Sequence, residues 1–242
     1  MFEISRRTFL GGAVTLVCAP PLAGCDEPVA SSSMVDGWVV PAGTKLSPSR
    51  YATLAALADT LIPGDVTSPG ATLARAAWYI DQFLGAFDVD PPRIYAGGPY
   101  SGRHGGLNGF AEFLPLTRVE ALSFRTLIEG SRGIPEREWN GPVKGLIQTL
   151  EEGLDELEAV AADRTERSFR GLSLEDRRGV LTGFDAELLK VVYRYVVEGT
   201  YGDPVYGGNF ELSGWKSIRY EGDRHPLGFN PLQLMQPEDG DV

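Results

Sequence analysis

Two histidines, a serine in a glycine-rich run and an aspartate ahead of a proline are the side chains in this 242-residue chain whose types and places could carry proton transfer or nucleophilic attack. His104 and Ser101 share the run Gly97-Gly-Pro-Tyr-Ser-Gly102-Arg-His-Gly105-Gly106-Leu-Asn-Gly109. Asp203 lies in Gly199-Thr-Tyr-Gly-Asp-Pro-Val-Tyr-Gly-Gly-Asn-Phe-Glu-Leu-Ser-Gly-Trp-Lys216. A histidine between glycines could serve as a general base, although an exposed loop histidine is the commoner case. Ser101 lacks the G-x-S-x-G elbow, and no Ser, His, Asp set can be assigned without geometry. The glycines at 97–109 invite a phosphate reading, but no G-x-G-x-x-G or G-x-x-x-x-G-K-[ST] occurs. With His104 and His225 in separate loops and no H-E-x-x-H, a metal site would be built mostly from carboxylates.

Carboxylates do cluster at Glu151, Glu152, Asp155, Glu156 and Glu158. They fall opposite the apolar stripe Val143, Leu146, Ile147, Leu150, Leu154, Leu157 and Ala161, so the spacing predicts a solvated acidic helix face rather than an acid/base pair. The formal net charge of −11 argues against nucleic acid, which needs a basic face.

The elements that must position these side chains read as helices. Ser47-Pro48 opens one, with an N-cap serine and a proline at the first helical position, and Pro63-Gly64 stops it. A second is expected over 71–87, with Leu73, Ala76, Ala77, Ile80, Phe83, Leu84 and Phe87 buried. Thr117 and Glu120 have capping-box spacing for a third over 118–129. The acidic helix is the fourth, a shorter one follows Ser173, and the last runs from about Asp185 to Glu198. Only Trp38 to Val40 and Ile218 to Tyr220 offer short strand patterns. The expectation is a mainly α, irregular multi-helix domain over 47–242. It carries two long loops rich in glycine and aromatics and ends in a loop tail from 199 to 242.

Residues 1–24 read as a targeting segment. Ser5-Arg6-Arg7-Thr8-Phe9-Leu10, ahead of a short apolar run, resembles a twin-arginine export signal resting on Arg6 and Arg7. Leu22-Ala23-Gly24-Cys25 resembles a bacterial lipobox, which implies lipidation of Cys25 and a firm membrane anchor. Cleavage there leaves one cysteine, hence no intrachain disulfide, no C-x-x-C-H and no iron–sulfur ligation, which argues against electron carriage by this chain. Pro28, Ser31 to Ser33, Pro41 and Gly43 make 25–46 look like a flexible tether.

Thr200-Tyr-Gly-Asp-Pro-Val-Tyr-Gly-Gly-Asn209 followed by Gly214-Trp215-Lys216 resembles the C-terminal signature of the gluconate 2-dehydrogenase subunit 3 family. Leu57-Ala-Asp-Thr-Leu-Ile-Pro63, Pro69-Gly-Ala71, Ala96-Gly-Gly-Pro-Tyr-Ser-Gly102 and Leu114-Pro-Leu116 extend the similarity over nearly the whole chain. Phe210 stands where a basic or polar residue is more often found. The resemblance implies a cofactor-free, non-catalytic small subunit of a membrane-associated, FAD-dependent sugar, aldonate or alcohol dehydrogenase. Its large subunit would be a flavoprotein of the glucose-methanol-choline type, and a multihaem cytochrome c subunit would commonly take the electrons. It implies a role in folding and twin-arginine co-export of the flavoprotein, and a place on the periplasmic side of the cytoplasmic membrane. Tyr100, Arg103, Tyr201, Asp203, Tyr206, Asn209, Trp215 and Lys216 are the expected partner-interface residues, aromatic and glycine-bearing loops being apt for recognition. Two other readings stay open: an enzyme in its own right using the 97–109 and 199–216 loops, and a ligand-binding or scaffolding lipoprotein.

Overall fold

The computed structural model describes residues 32–90, 92, 94 and 116–220; Arg6, Arg7, Cys25, Tyr100, Ser101, Arg103, His104 and His225 lie outside the described residues. Within them the fold is mainly α, with eight α-helices and one two-stranded hairpin.

Helix α1 (Pro48–Leu61) starts where Ser47 and Pro48 put it: the Ser47 hydroxyl accepts from the Arg50 N–H, and the first turn has no use for the N–H that proline lacks. Tyr51, Ala52, Leu54, Ala56, Leu57 and Ala58 are all buried, so apolar side chains surround this helix instead of lining one stripe. A helix apolar all round must be covered all round. The hairpin and five of the other helices all pack on α1.

The span expected as one helix over 71–87 is two, α2 (Gly70–Leu73) and α3 (Ala76–Leu84). Arg75 between them adopts φ 58 in the left-handed region, which ends the helical ladder without a glycine or proline. The break turns Leu73 outward to 66% exposure, while Ala76, Ala77, Ile80 and Leu84 enter the core as expected. Helix α4 (Arg118–Glu129) begins with the full capping box of Thr117 and Glu120. Helices α5 (Leu146–Thr165), α6 (Leu174–Leu181) and α7 (Ala186–Tyr201) follow, with Ser173 and Asp185 as N-caps of the last two.

Leu57 of α1, Ile80 and Leu84 of α3, Leu150, Leu154 and Leu157 of α5, and Val192 and Val196 of α7 form the centre of the core. Each such side chain contributes about 1.5–3 kcal/mol on burial. Two glycines set the helix spacing: a Cβ at Gly153 of α5 would overlap the Leu188 side chain of α7, and one at Gly199 would come within 2.8 Å of Tyr79 on α3. A smaller cluster of Ala86, Ile94 and Ile128 seats α4.

The acidic face of α5 is only partly solvated. Arg50 of α1 binds Asp155 through two nitrogens at 2.7 and 2.9 Å and Glu151 at 2.8 Å. Glu158 points inward, accepting from the Thr53 hydroxyl, the Phe169 N–H and the Arg170 guanidinium. Helix α5 is thus held to α1 and to the Phe169–Gly171 turn by the carboxylates expected to face water.

The C-terminal part of the expected tether is folded. Strands β1 (Ser33–Val35) and β2 (Trp38–Val40) pair antiparallel in the register Val35 opposite Trp38, joined by Asp36-Gly37, whose φ values of 47 and 88 suit a two-residue hairpin turn. Asp36 accepts from Arg170 Nε at 2.6 Å, the Trp38 indole donates to the Arg170 carbonyl at 2.9 Å, and Val40 and Leu46 are buried. Ile218 to Tyr220, the other strand pattern, lies beyond a short helix and forms no strand.

Asp81, with no exposed surface, fixes the passage from hairpin to α1 by accepting the Lys45 N–H at 2.8 Å and the Leu46 N–H at 2.9 Å. Burial pushes its carboxyl above the ordinary aspartate range, and the two backbone N–H groups and the Lys45 charge offset this only in part. Since the folded-state value is raised, the folded chain holds the proton more tightly than the unfolded one. The contribution of Asp81 is therefore largest below the ordinary carboxylate pKa and declines as pH rises through the folded value. Asp81→Asn removes that decline. The stability of the native chain relative to Asp81→Asn, measured by urea unfolding between about pH 4 and pH 7, is expected to fall with rising pH; a difference that is flat or grows would contradict this account.

Candidate functional site

The stretch from Gly199 is a compact knot, although its glycines predict a loop. Helix α7 runs on to Tyr201, with Thr200 buried and its hydroxyl donating to the Val196 carbonyl at 2.7 Å. After Gly202 come 3-10 turns at Pro204–Tyr206 and Phe210–Leu212, then α8 (Ser213–Ser217). The glycines sit at the joints: a Cβ at Gly214 would overlap the Thr200 carbonyl oxygen, and one at Gly208 the Gly199 carbonyl oxygen.

Asn209 is the pin of the knot. It has no exposed surface and φ 44, a left-handed conformation that asparagine tolerates better than most residues. Its amide nitrogen donates to the Gly202 carbonyl at 2.9 Å, while Oδ1 accepts from the Gly214 N–H at 2.9 Å and the Trp215 N–H at 3.3 Å. Its own N–H reaches the Gly199 carbonyl at 2.7 Å. Trp215, 5% exposed, donates its indole N–H to the Tyr201 carbonyl at 2.7 Å and meets the Tyr220 ring edge to face at 5.0 Å.

Strain gathers where the knot meets the helix break. Asn209, Glu211, Leu212 and Arg75 all have positive φ. The Phe210 N–H donates to the Ala74 carbonyl at 3.2 Å, and the Arg75 guanidinium lies 3.3 Å from the centre of the Phe210 ring. Left-handed residues of this kind cost on the order of 1–3 kcal/mol each and persist when surrounding contacts over-determine them. The stack places a cation on the face of the Phe210 ring.

Of the residues read from the sequence, Asn209 and Trp215 therefore face inward and hold the tail to the body. Tyr201, Asp203 and Tyr206 are half-buried and Lys216 is exposed. Arg75 and Phe210 join this surface. Nothing in the local sequence marks Arg75, because the break carries no helix-breaking residue. Beside the knot, the Tyr79 hydroxyl donates to Glu198 at 3.0 Å; burial first, and the Glu198 charge next, push its phenol pKa upward, so it stays a neutral donor.

The knot offers hydrogen bonding, aromatic area and cations around a braced backbone, which suits recognition. Among the described residues no three His, Cys, Asp or Glu side chains are grouped to hold a metal ion, and no helix is long and apolar enough to cross a membrane.

No curated protein and no solved structure is significantly similar to the chain. The family described as Gluconate 2-dehydrogenase subunit 3 does match it, over residues 48–222. The matched segment opens on the first residue of α1 and closes just past the knot, taking in the core helices and the whole of the Asn209 network. With well over half of its length inside that pattern, the chain belongs to the gluconate 2-dehydrogenase subunit 3 family.

Proposed function

We propose that this chain is the non-catalytic small subunit of a periplasm-facing, FAD-dependent dehydrogenase complex acting on a sugar, an aldonate or an alcohol. It binds the flavoprotein subunit, supports its folding, carries it through the twin-arginine route and keeps it at the membrane. FAD belongs to the partner, of the glucose-methanol-choline type, and electrons pass on to a cytochrome c subunit. The observation that carries this reading is the family match over 48–222, which names a dehydrogenase subunit. Arg6-Arg7 supports export of a folded cargo, and Leu22 to Cys25 supports a lipid anchor on the periplasmic side.

The test is co-expression of the tagged chain with a flavoprotein dehydrogenase subunit of the glucose-methanol-choline type from the same genome. The two are expected to elute together as a yellow complex, and Arg6→Lys with Arg7→Lys is expected to leave both in the cytoplasm and to remove dehydrogenase activity from the periplasmic side. A colourless monomer, with the flavoprotein exported normally in its absence, would overturn the proposal. Mass spectrometry of the mature N-terminus is expected to find Cys25 acylated.

A further inference from the structure

Two asparagines stand among the described residues, and the fold treats them in opposite ways. Asn209 is fully buried, its amide is bonded through both oxygen and nitrogen, and the bulky Phe210 follows it. Asn140 is exposed, and among the described residues its side-chain amide finds no hydrogen-bond partner. Gly141 follows it, with φ 97 and open space where a Cβ would stand.

That pairing is reactive. The backbone nitrogen after an asparagine can attack the side-chain Cγ and close a five-membered imide, which makes asparagine one of the chemically labile residues. The side chain of the following residue hinders the approach, and burial or hydrogen bonding of the amide holds Cγ away from it. Glycine removes the first obstacle and also gives the backbone the freedom to turn. At Asn140 the second is missing as well, whereas Asn209 meets both.

The loop around the pair decides how far the fold resists. Residues 131–143 close on themselves, the Ser131 N–H donating to the Val143 carbonyl and the Val143 N–H donating back to the Ser131 hydroxyl, each at 2.9 Å. Arg137 fastens the loop to the end of α4 through Glu129 at 2.8 Å and the Gly130 carbonyl at 3.1 Å. Both clamps lie outside the reacting pair and stay shut while it reacts. Only one bond engages the attacking nitrogen: the Gly141 N–H donates to the Glu138 carbonyl at 2.8 Å. Opening that one turn is a local event, and a single hydrogen bond on the surface slows the reaction about fivefold.

We propose that Asn140 is a site of spontaneous deamidation in the folded chain, with water as the only co-reactant. The Gly141 nitrogen gives its proton to solvent and bonds to the Asn140 Cγ, the bond from Cγ to Nδ2 breaks, and ammonia leaves. Water then opens the imide at either carbonyl, giving aspartate or isoaspartate. Either product adds one negative charge to a chain of net charge −11. Isoaspartate also carries the main chain through one more carbon, which takes the Gly141 N–H away from the Glu138 carbonyl and loosens the turn.

The experiment incubates the full chain in mildly alkaline buffer, with and without urea, and follows its tryptic peptides by mass spectrometry. The peptide 138–144, between Arg137 and the cut after Lys144, holds Asn140 and no other asparagine or glutamine. In the native chain it is expected to convert to an aspartate and isoaspartate pair, about fivefold more slowly than in urea, while Asn209 stays intact. Asn140 unchanged in the native chain, after several half-lives of its conversion in urea, overturns the proposal, because the loop then shields the pair. Asn140→Gln, whose imide would need a six-membered ring, is expected to keep that peptide unchanged and to leave the thermal unfolding midpoint where it was. Conversion of the same peptide in Asn140→Gln at the native rate would place the chemistry on another residue and overturn the proposal too.

Discussion

Asn209→Ala is expected to lower the thermal unfolding midpoint by about 6–12 °C. The alanine leaves the Gly214 and Trp215 N–H groups and the Gly202 carbonyl without partners, in a place where the amide is fully buried. An orphaned buried group costs about 1–3 kcal/mol. A total near 3 kcal/mol is reasonable because the groups share one side chain, and in a domain of this size each kcal/mol is worth about 2–4 °C. Asn209→Gly separates the two contributions at the site. Glycine accepts φ 44 without strain but forfeits the same three hydrogen bonds, so it should be nearly as destabilised as alanine. A stable Asn209→Gly protein would show that backbone conformation, and not the amide, holds the knot. Limited proteolysis should locate the damage, with new cleavage between Asp203 and Tyr220 ahead of any cut in α1 or α5.

The second large effect is expected at Arg177. This guanidinium on α6 is 6% exposed, donates to the Ala56 carbonyl of α1 at 2.6 Å and to Asp59 at 2.9 Å, and leaves its Nε unpartnered. Asp59 also accepts from the Thr72 hydroxyl, so one carboxylate joins α1, α2 and α6. Removing one partner of a buried pair costs about 3–5 kcal/mol, and Arg177→Ala should fall in that range. Arg177→Met should lose distinctly less, since it removes the same ion pair and orphaned Nε but fills most of the volume that alanine leaves empty. The urea midpoints of the two variants decide the matter. If methionine is as costly as alanine, the hydrogen bonds and not the packing carry the role of Arg177.

Helix starts were legible because their causes are local. Ser47-Pro48, Thr117 with Glu120, Ser173 and Asp185 each satisfy N–H groups within a few residues of themselves, and each caps the helix it predicts. The break at Arg75 was not legible, since its cause lies more than a hundred residues away where Phe210 and Ala74 meet. Asp36-Gly37 is a residue pair that suits a two-residue hairpin turn, but the composition of 25–46, rich in proline and serine, points to a tether and hides it. The paired carboxylates of α5 depend on Arg50 and Arg170, which no helical periodicity on α5 can announce. In the knot the residue types were legible and their directions were not. Asn209 and Trp215 point inward because Gly208 and Gly214 let the backbone approach α7 closely enough to need bracing.

The hairpin also sets a length. If the lipid is carried on Cys25, the first strand at Ser33 leaves eight residues between lipid and described fold, where Leu46 would have left twenty-one. At no more than about 3.6 Å per residue the leash reaches about 29 Å rather than about 76 Å. A body on so short a leash would sweep a shell little thicker than itself, and any encounter with a partner at the same membrane would become nearly two-dimensional.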